Sequence, residues 1–275
     1  METNKQTSVK REGKRSRGVS AGIVIVACAI LSGLFFHFIL GNPENFVNND
    51  PANHPNPGNM LGTVHKGGVT VAIVITLLLT VVVLSVERFF ALSKCKGKGN
   101  LINFVYDVKV NLEKGNVPAA EALCAAQKGS VAAIVDAGLK KYKEMEENTK
   151  LNKERKIEEI KAEIEEATSL ELPTMQQNLP IIATISTLGT LFGLFGTVLG
   201  MIRSFAAMAT EGGADPIALS TGISEALVNT ALGIATGALA IISYAYFSGR
   251  IDSMTYAIDE MGFALTQTYA ETHND

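Results

Sequence analysis

The chain has little of what marks nucleic-acid binders, metalloproteins and most enzymes. Its formal net charge is only -3 over 275 residues, too small to point to nucleic acid or an acidic substrate. Three cysteines, Cys28, Cys95 and Cys124, fit neither a zinc site nor a disulfide framework. No nucleophile–base set, phosphate loop or cluster of metal ligands can be read, so neither an enzyme nor a bound metal or other cofactor is expected. What the chain does have is apolar length. It is 47% hydrophobic and 19% charged, and the charges are segregated rather than interspersed.

Four apolar runs, at 19–40, 69–92, 179–207 and 220–247, are long enough to cross a hydrocarbon core of roughly 30 Å. The fold class expected is therefore all-α, a polytopic membrane protein with four transmembrane helices and a large cytoplasmic helical region at 93–178. Six basic residues crowd the first 18 positions and fifteen lie between Arg88 and Leu179, whereas the connectors 41–68 and 208–219 hold only Lys66 between them. By the positive-inside rule, the N-terminus, the middle region and the tail 248–275 are inside and the two connectors outside. The first run has a rival reading as a secretory signal, with Ile25–Cys28 resembling a lipoprotein cleavage site. Its apolar stretch continues to Leu40, well beyond the usual length of about 7–15 residues, which favours an uncleaved anchor.

The outer connector 41–68, rich in Asn, Pro and Gly, is expected to be extended or irregular, with His54 and His65 solvated. Inside, 101–139 reads as short Ala-rich helices with Pro118 in a first turn. The charged stretch 140–171 reads as a long helix whose thin seam of Leu151, Ile157, Ile160 and Ile164 suggests packing against a partner copy. Pro173 and Pro180 fall where this helix meets the membrane.

The last two runs are unusual in their small residues. Gly189, Gly193, Gly196 and Gly200 form one stripe, with Ser186, Thr190, Thr197 and Ser204 beside it. Gly222, Ala226, Thr230, Gly233, Gly237, Ala240 and Tyr244 form another. Small residues let helix backbones approach closely, and hydroxyls must face protein or water rather than lipid. Gly196→Leu is expected to overpack such a contact and break a ring of subunits. No Asp, Glu, Lys, Arg or His lies deep in either run.

Gly193–Ile202, GLFGTVLGMI, resembles the GLxGTVxGM signature of the MotA/TolQ/ExbB proton-channel proteins. Gly222–Leu227, GISEAL, followed by Thr230-Ala231-Leu232-Gly233, is similar to a second signature of that family. Glu87-Arg88-Phe89 and the Ala-rich helices of 119–139 add to the likeness, which covers 69 to the C-terminus and is nearest to ExbB and TolQ. The chain departs from the pattern in its additional first span. It also has Thr190 and the segment Thr236–Ala240 where the family commonly shows proline, so straighter helices are expected.

The resemblance implies a ring, a homopentamer in the family's usual form, in the bacterial inner (cytoplasmic) membrane. The ring would enclose single-span ExbD/TolR-like partners, each supplying an intramembrane Asp. Proton passage would drive a TonB/TolA-like protein, which energises transport at the outer membrane. Thr197 and Thr230 are then the ion-pathway hydroxyls, able to donate to a carboxylate but not to store a proton. Counted from the outer connector, both lie about 12–14 Å deep at 1.5 Å per residue. Glu225 is either an interfacial anchor or an acid at the pore mouth, and Arg203 shares its depth, which predicts an outer-mouth ion pair. Asp215 reads as a turn or cap residue. Asn229 offers a carbonyl oxygen to a hard cation, which keeps sodium open beside the proton. The reading from another class is a membrane scaffold without ion flow; a secondary transporter is disfavoured by the lack of an inverted repeat.

Overall fold

The computed structural model describes residues 20–210 and 216–273. The basic N-terminal segment 1–18, Asp215 and the middle of the 208–219 connector lie outside the described residues. Among the described residues nine α-helices follow in order: α1 Ala21–Leu34, α2 Met60–Lys66, α3 Val69–Lys96, α4 Leu101–Glu113, α5 Val117–Gln127, α6 Gly129–Glu147, α7 Lys153–Gln176, α8 Leu179–Thr210 and α9 Pro216–Thr272. Among the described residues there is no strand, only an isolated bridge between Phe46 and Pro55. Four helical stretches among the described residues are long and apolar enough to cross a membrane: Ala21–Leu40, in which a π-turn at Phe35–Leu40 prolongs α1, and segments of Val69–Glu113, Lys153–Ala206 and Leu219–Thr272. The chain is a multi-pass membrane protein. Its bundle has a cap end, carrying 41–68, and a domain end, carrying α4 to α7.

The helix starts are written in asparagine. Side chains of Asn59, Asn100, Asn116 and Asn152 accept from the first free backbone N–H groups of α2, α4, α5 and α7. Each bond satisfies a donor that has no intrahelical partner, a cap worth about 1 kcal/mol. Gly68 opens α3 with φ +78° and ψ -157°, a conformation that only glycine adopts at low cost, and so lets α2 turn sharply into the span.

The connector 41–68 is folded, not irregular. Asn45 is buried and its amide donates to the carbonyls of Ile39 (2.9 Å) and Leu40 (3.0 Å), acceptors left over where α1 and its π-turn end. Asn59 donates in turn to Asn45 Oδ1 at 3.0 Å, and Phe46 is buried beneath the loop. His65 is not solvated either: its ring stacks on Phe36 with centroids 4.5 Å apart and meets the Phe46 ring edge-on at 5.4 Å. Burial first, then the charges of Lys66 and His37, hold its pKa below the ordinary imidazole value.

At the domain end, α4 to α7 surround the last third of α9. Val108, Ile134, Leu139, Ile160, Leu265 and Tyr269 are all buried in one core. The seam on α7 turns inward on its own chain, which corrects the expectation of a partner copy. Ile160 and Ile164 are buried, and Ile164 Cγ1 would lie 2.8 Å from a Cβ on Gly138 of α6. Leu151 stays exposed. Because α9 runs unbroken from the membrane into this core, the domain is rigidly joined to the last span. Burial of the Cys124 thiol in the same domain pushes its pKa up to about 12, so it stays a neutral, inert thiol at physiological pH.

The hinge between domain and membrane lies at Gln177–Asn178, where Asn178 takes φ +65° between α7 and α8. Arg88, only 1% exposed, fills this break. Its guanidinium reaches the carbonyls of Thr174 (3.4 Å) and Met175 (3.5 Å), two of the acceptors left free where α7 ends. Glu87 neutralises it with two bonds of 2.5 and 2.6 Å, and Asn178 donates to Glu87 at 3.2 Å. A charge this deeply buried persists only when it is paired and hydrogen-bonded.

Candidate functional site

The site is built on the seam between α8 and α9. A Cβ on Gly193 would stand 2.8 Å from the Gly233 Cα, and one on Gly233 would stand 2.6 Å from the Gly193 Cα. Gly189 faces Thr236 and Gly237, Gly200 faces Ala226, and Gly237 faces Thr190 and the Ser186 carbonyl. The glycine stripe thus packs inside one chain, backbone on backbone at Gly193 and Gly233 and against the side chains of Thr236, Asn229 and Ala226 at Gly189, Gly196 and Gly200. Gly196→Leu would therefore strike the hairpin of a single subunit before it touched any contact between subunits.

This close approach brings two hydroxyls together. Thr197 Oγ1 and Thr230 Oγ1 are hydrogen-bonded across the seam. Thr197 also reaches the Ala226 carbonyl of α9 at 3.1 Å, and Thr230 reaches the Gly193 carbonyl of α8 at 3.4 Å. Each threonine thereby addresses the carbonyl four residues before the other, a reciprocal brace. Two hydroxyls carry only two protons, so lone pairs on both oxygens stay open to a further donor. Both residues are half-buried in the isolated chain. Within the spans, the nearest charged residues along the helices are Arg203 and Glu225, toward the cap end, so the pair has no acid of its own at its depth.

Arg203 and Glu225 do not meet. Among the described residues no ion pair joins them. The Arg203 guanidinium lies beside Gly68, with Nη1 3.3 Å from a Cβ built there. Glu225 is half-buried and turned toward the cap, where Lys66 and His54 are the charges that reach it.

Sequence reasoning missed the polar node beside the hydroxyl pair. Asn229, 1% exposed, points away from the seam's open side toward α3. Its Oδ1 accepts from Thr70 Oγ1 at 3.1 Å and its Nδ2 donates to the Gly67 carbonyl at 3.3 Å. The signal was an amide inside an apolar run, which hydrocarbon tolerates only when it is partnered. Its carbonyl oxygen is engaged by Thr70. Among the described residues no group of His, Cys, Asp and Glu is placed to hold a metal ion. A cleft of about 1040 Å³ between the end of α3, α4 and α9 is lined by Phe89, Lys96, Tyr106, Lys109 and Arg250 among others. It lies at the domain end and shares no residue with the hydroxyl pair.

The stretch matched by the family model, 126–260, contains α8 and the braced part of α9 and is described as the MotA/TolQ/ExbB proton channel family. Residues 126–260 belong to that family. The chain is also similar to the Tol-Pal system protein TolQ of Pseudomonas aeruginosa, with 32% identity over 121 residues, 44% of this chain and 52% of that protein. It is similar to TolQ of Haemophilus influenzae, 31% identical over 32% of this chain and 39% of the relative. The biopolymer transport protein ExbB of Salmonella typhimurium is 36% identical over 26% of this chain and 30% of its own length. The chain thus spans about half the length of the first of these relatives and less of the other two. The family domain takes in the hydroxyl pair, the glycine seam, Asn229 and Glu225 together, with α6, α7 and most of α9.

Proposed function

We propose that this chain is the ring-forming subunit of an ion-driven motor in the bacterial inner membrane, of the ExbB–ExbD and TolQ–TolR type. It uses the proton motive force to energise a TonB/TolA-like protein for work at the outer membrane. The observation that carries this reading is the Thr197–Thr230 pair inside the family domain, level with the outer start of α3, with lone pairs to spare and no acid at its depth. The open lone pairs accept from a protonated carboxyl, and a hydroxyl turned away from its carbonyl donates to the ionised form and lowers the cost of its charge in a low-dielectric site. The carboxylate itself comes from elsewhere, from an ExbD/TolR-like single-span protein with an intramembrane Asp held inside a homopentamer of this chain. The cap end then faces out and both termini face the cytoplasm, in keeping with the distribution of Lys and Arg. Glu225, between the cap and the pair, is the acid nearest the outer mouth. The carrier ion is a proton, with a sodium-driven member of the same family as the alternative, since Asn229 Oδ1 keeps a second lone pair beside the bond from Thr70.

The reciprocal brace is also what a scaffold without ion flow would use to hold two helices, so that reading has its own observation. Co-expression with a single-span protein bearing an intramembrane Asp, followed by reconstitution in liposomes, separates the two. A stable complex that conducts protons, and loses conduction when the partner's Asp becomes Asn, is the expected result. A complex that forms but carries no ion would establish the scaffold.

A further inference from the structure

Asn229 and Thr230 are neighbours on α9, so their side chains diverge by about 100° around the helix axis. The two directions are tied to different helices. Thr230 addresses Thr197 and the Gly193 carbonyl on α8, while Asn229 is drawn to Thr70 and the Gly67 carbonyl at the outer start of α3. The three helices converge on Gly196 of α8. A Cβ there would lie 2.6 Å from Asn229 Cγ, 2.8 Å from Asn229 Cβ and 2.9 Å from Thr70 Oγ1.

The glycine contacts along the seam set how near α8 and α9 stand, but they are poor at setting rotation. Dispersion between smooth backbones changes little when one helix rolls against the other. A primary amide is different. Rolling α9 would carry Asn229 off Thr70 and Gly67 and leave both its polar ends buried without partners, which is costly. We infer that Asn229 is a positioning residue, which pins the rotation of α9 through Thr70 and Gly67 so that Thr230 is aimed at Thr197. The inference rests on the reading of that hydroxyl pair as the ion path, and it makes the outer end of α3 part of the same device. Gly67 and Gly68 follow directly from the folded cap, so a shift of the cap changes the pin and with it the aim of Thr230.

The test is geometric and needs no ion flux. In the full-length chain, Thr197→Cys and Thr230→Cys are combined, and formation of the disulfide between them under mild oxidation is followed by mass spectrometry of the linked peptides. Native Cys28, Cys95 and Cys124 stay in place, since the linked peptide identifies the pair. The rate is then compared in the added presence of Asn229→Leu, which keeps the bulk and removes the direction. Linking should slow about tenfold, the scale of losing one net hydrogen bond that selected a single orientation. Thr70→Val should slow it likewise while leaving α9 itself unaltered, and it carries the test if Asn229→Leu does not accumulate. Thr70→Ser, which restores the donor, should recover the native rate. Linking at the native rate in folded Thr70→Val or Asn229→Leu protein overturns the assignment. That outcome leaves the ion-path reading standing, because a misaimed pair and an unused pair are read by different measurements.

Discussion

The α8–α9 seam and the domain of α4 to α7 with the end of α9 are built by opposite means. In the domain, side chains of Val108, Ile134, Leu139, Ile160 and Leu265 fill a core that water drives together, each worth about 1.5–3 kcal/mol of burial. In the seam that drive is absent, since lipid is as apolar as leucine. Association there depends on glycines that bring backbones into contact and on hydroxyls and an amide that find carbonyls. One region is thus sensitive to what is removed from it, the other to what is added. The threonine brace can exist only where the helices are that close, so the small residues serve the chemistry by permitting the distance.

The sharpest way to break the comparison is to add bulk to the seam. Gly193→Leu should abolish accumulation of folded subunit in membranes, a larger effect than the roughly 1–3 kcal/mol of an overpacked core, because what it meets is backbone that cannot rotate away. Gly249→Leu, on a stretch of α9 where an added Cβ meets nothing within 4 Å, is the matched control and should accumulate normally. Removal should have the converse ranking. Ile160→Ala in the domain core is expected to cost about 2–5 kcal/mol, read as a fall in thermal midpoint of the detergent-purified chain. Trimming Val198, 49% exposed on the outer face of α8, to Ala should be nearly silent in the same assay.

A smaller effect belongs to the cap. His65 has its pKa held below the ordinary value of 6.5, so its neutral form is favoured in the folded state. Stability from this source is complete above that value and declines as pH falls from 6.5 toward the lowered folded pKa. Amides of 45–65 should therefore lose hydrogen-exchange protection between pH 7.5 and pH 5.5, after correction for intrinsic rates. His65→Phe, which keeps the stack on Phe36 and cannot take up a proton, should abolish that dependence. Equal loss in the variant would separate the cap from this imidazole.

Much of the architecture was legible in the residues because it depends on local patterns. Apolar length marks a span by itself, segregated Lys and Arg mark regions beyond the membrane, and heptad-like spacing of glycines marks a face. What escaped depends on direction or on distant partners. The Asn-rich connector looked irregular because its order comes from Asn45 reaching back to the end of the first span and from Asn59 fourteen residues on. The seam of α7 was visible but its partner was not, since an apolar stripe fits its own chain or another equally well. Arg203 and Glu225 share a depth, yet Arg203 lies beside Gly68 and Glu225 within reach of Lys66 and His54, and no ion pair joins them among the described residues. Asn229 itself was noticed as an oxygen donor; only the third helix shows that the oxygen is already in use.

The central claim is that Thr197 and Thr230 serve the ion and do more than brace two helices. The most direct measurement is proton flux into liposomes containing this chain with its Asp-bearing single-span partner, comparing native protein with the Thr197→Val, Thr230→Val double variant. Valine keeps the shape and removes the hydroxyls, at a structural cost of about 0.6 kcal/mol for each lost interhelical bond, small enough for assembly to persist. The account predicts an intact complex whose flux falls by at least about tenfold, more than 1.4 kcal/mol in the barrier, with Thr→Ser at both positions close to native. Native flux through an intact double-valine complex would contradict it and leave the pair as a brace alone.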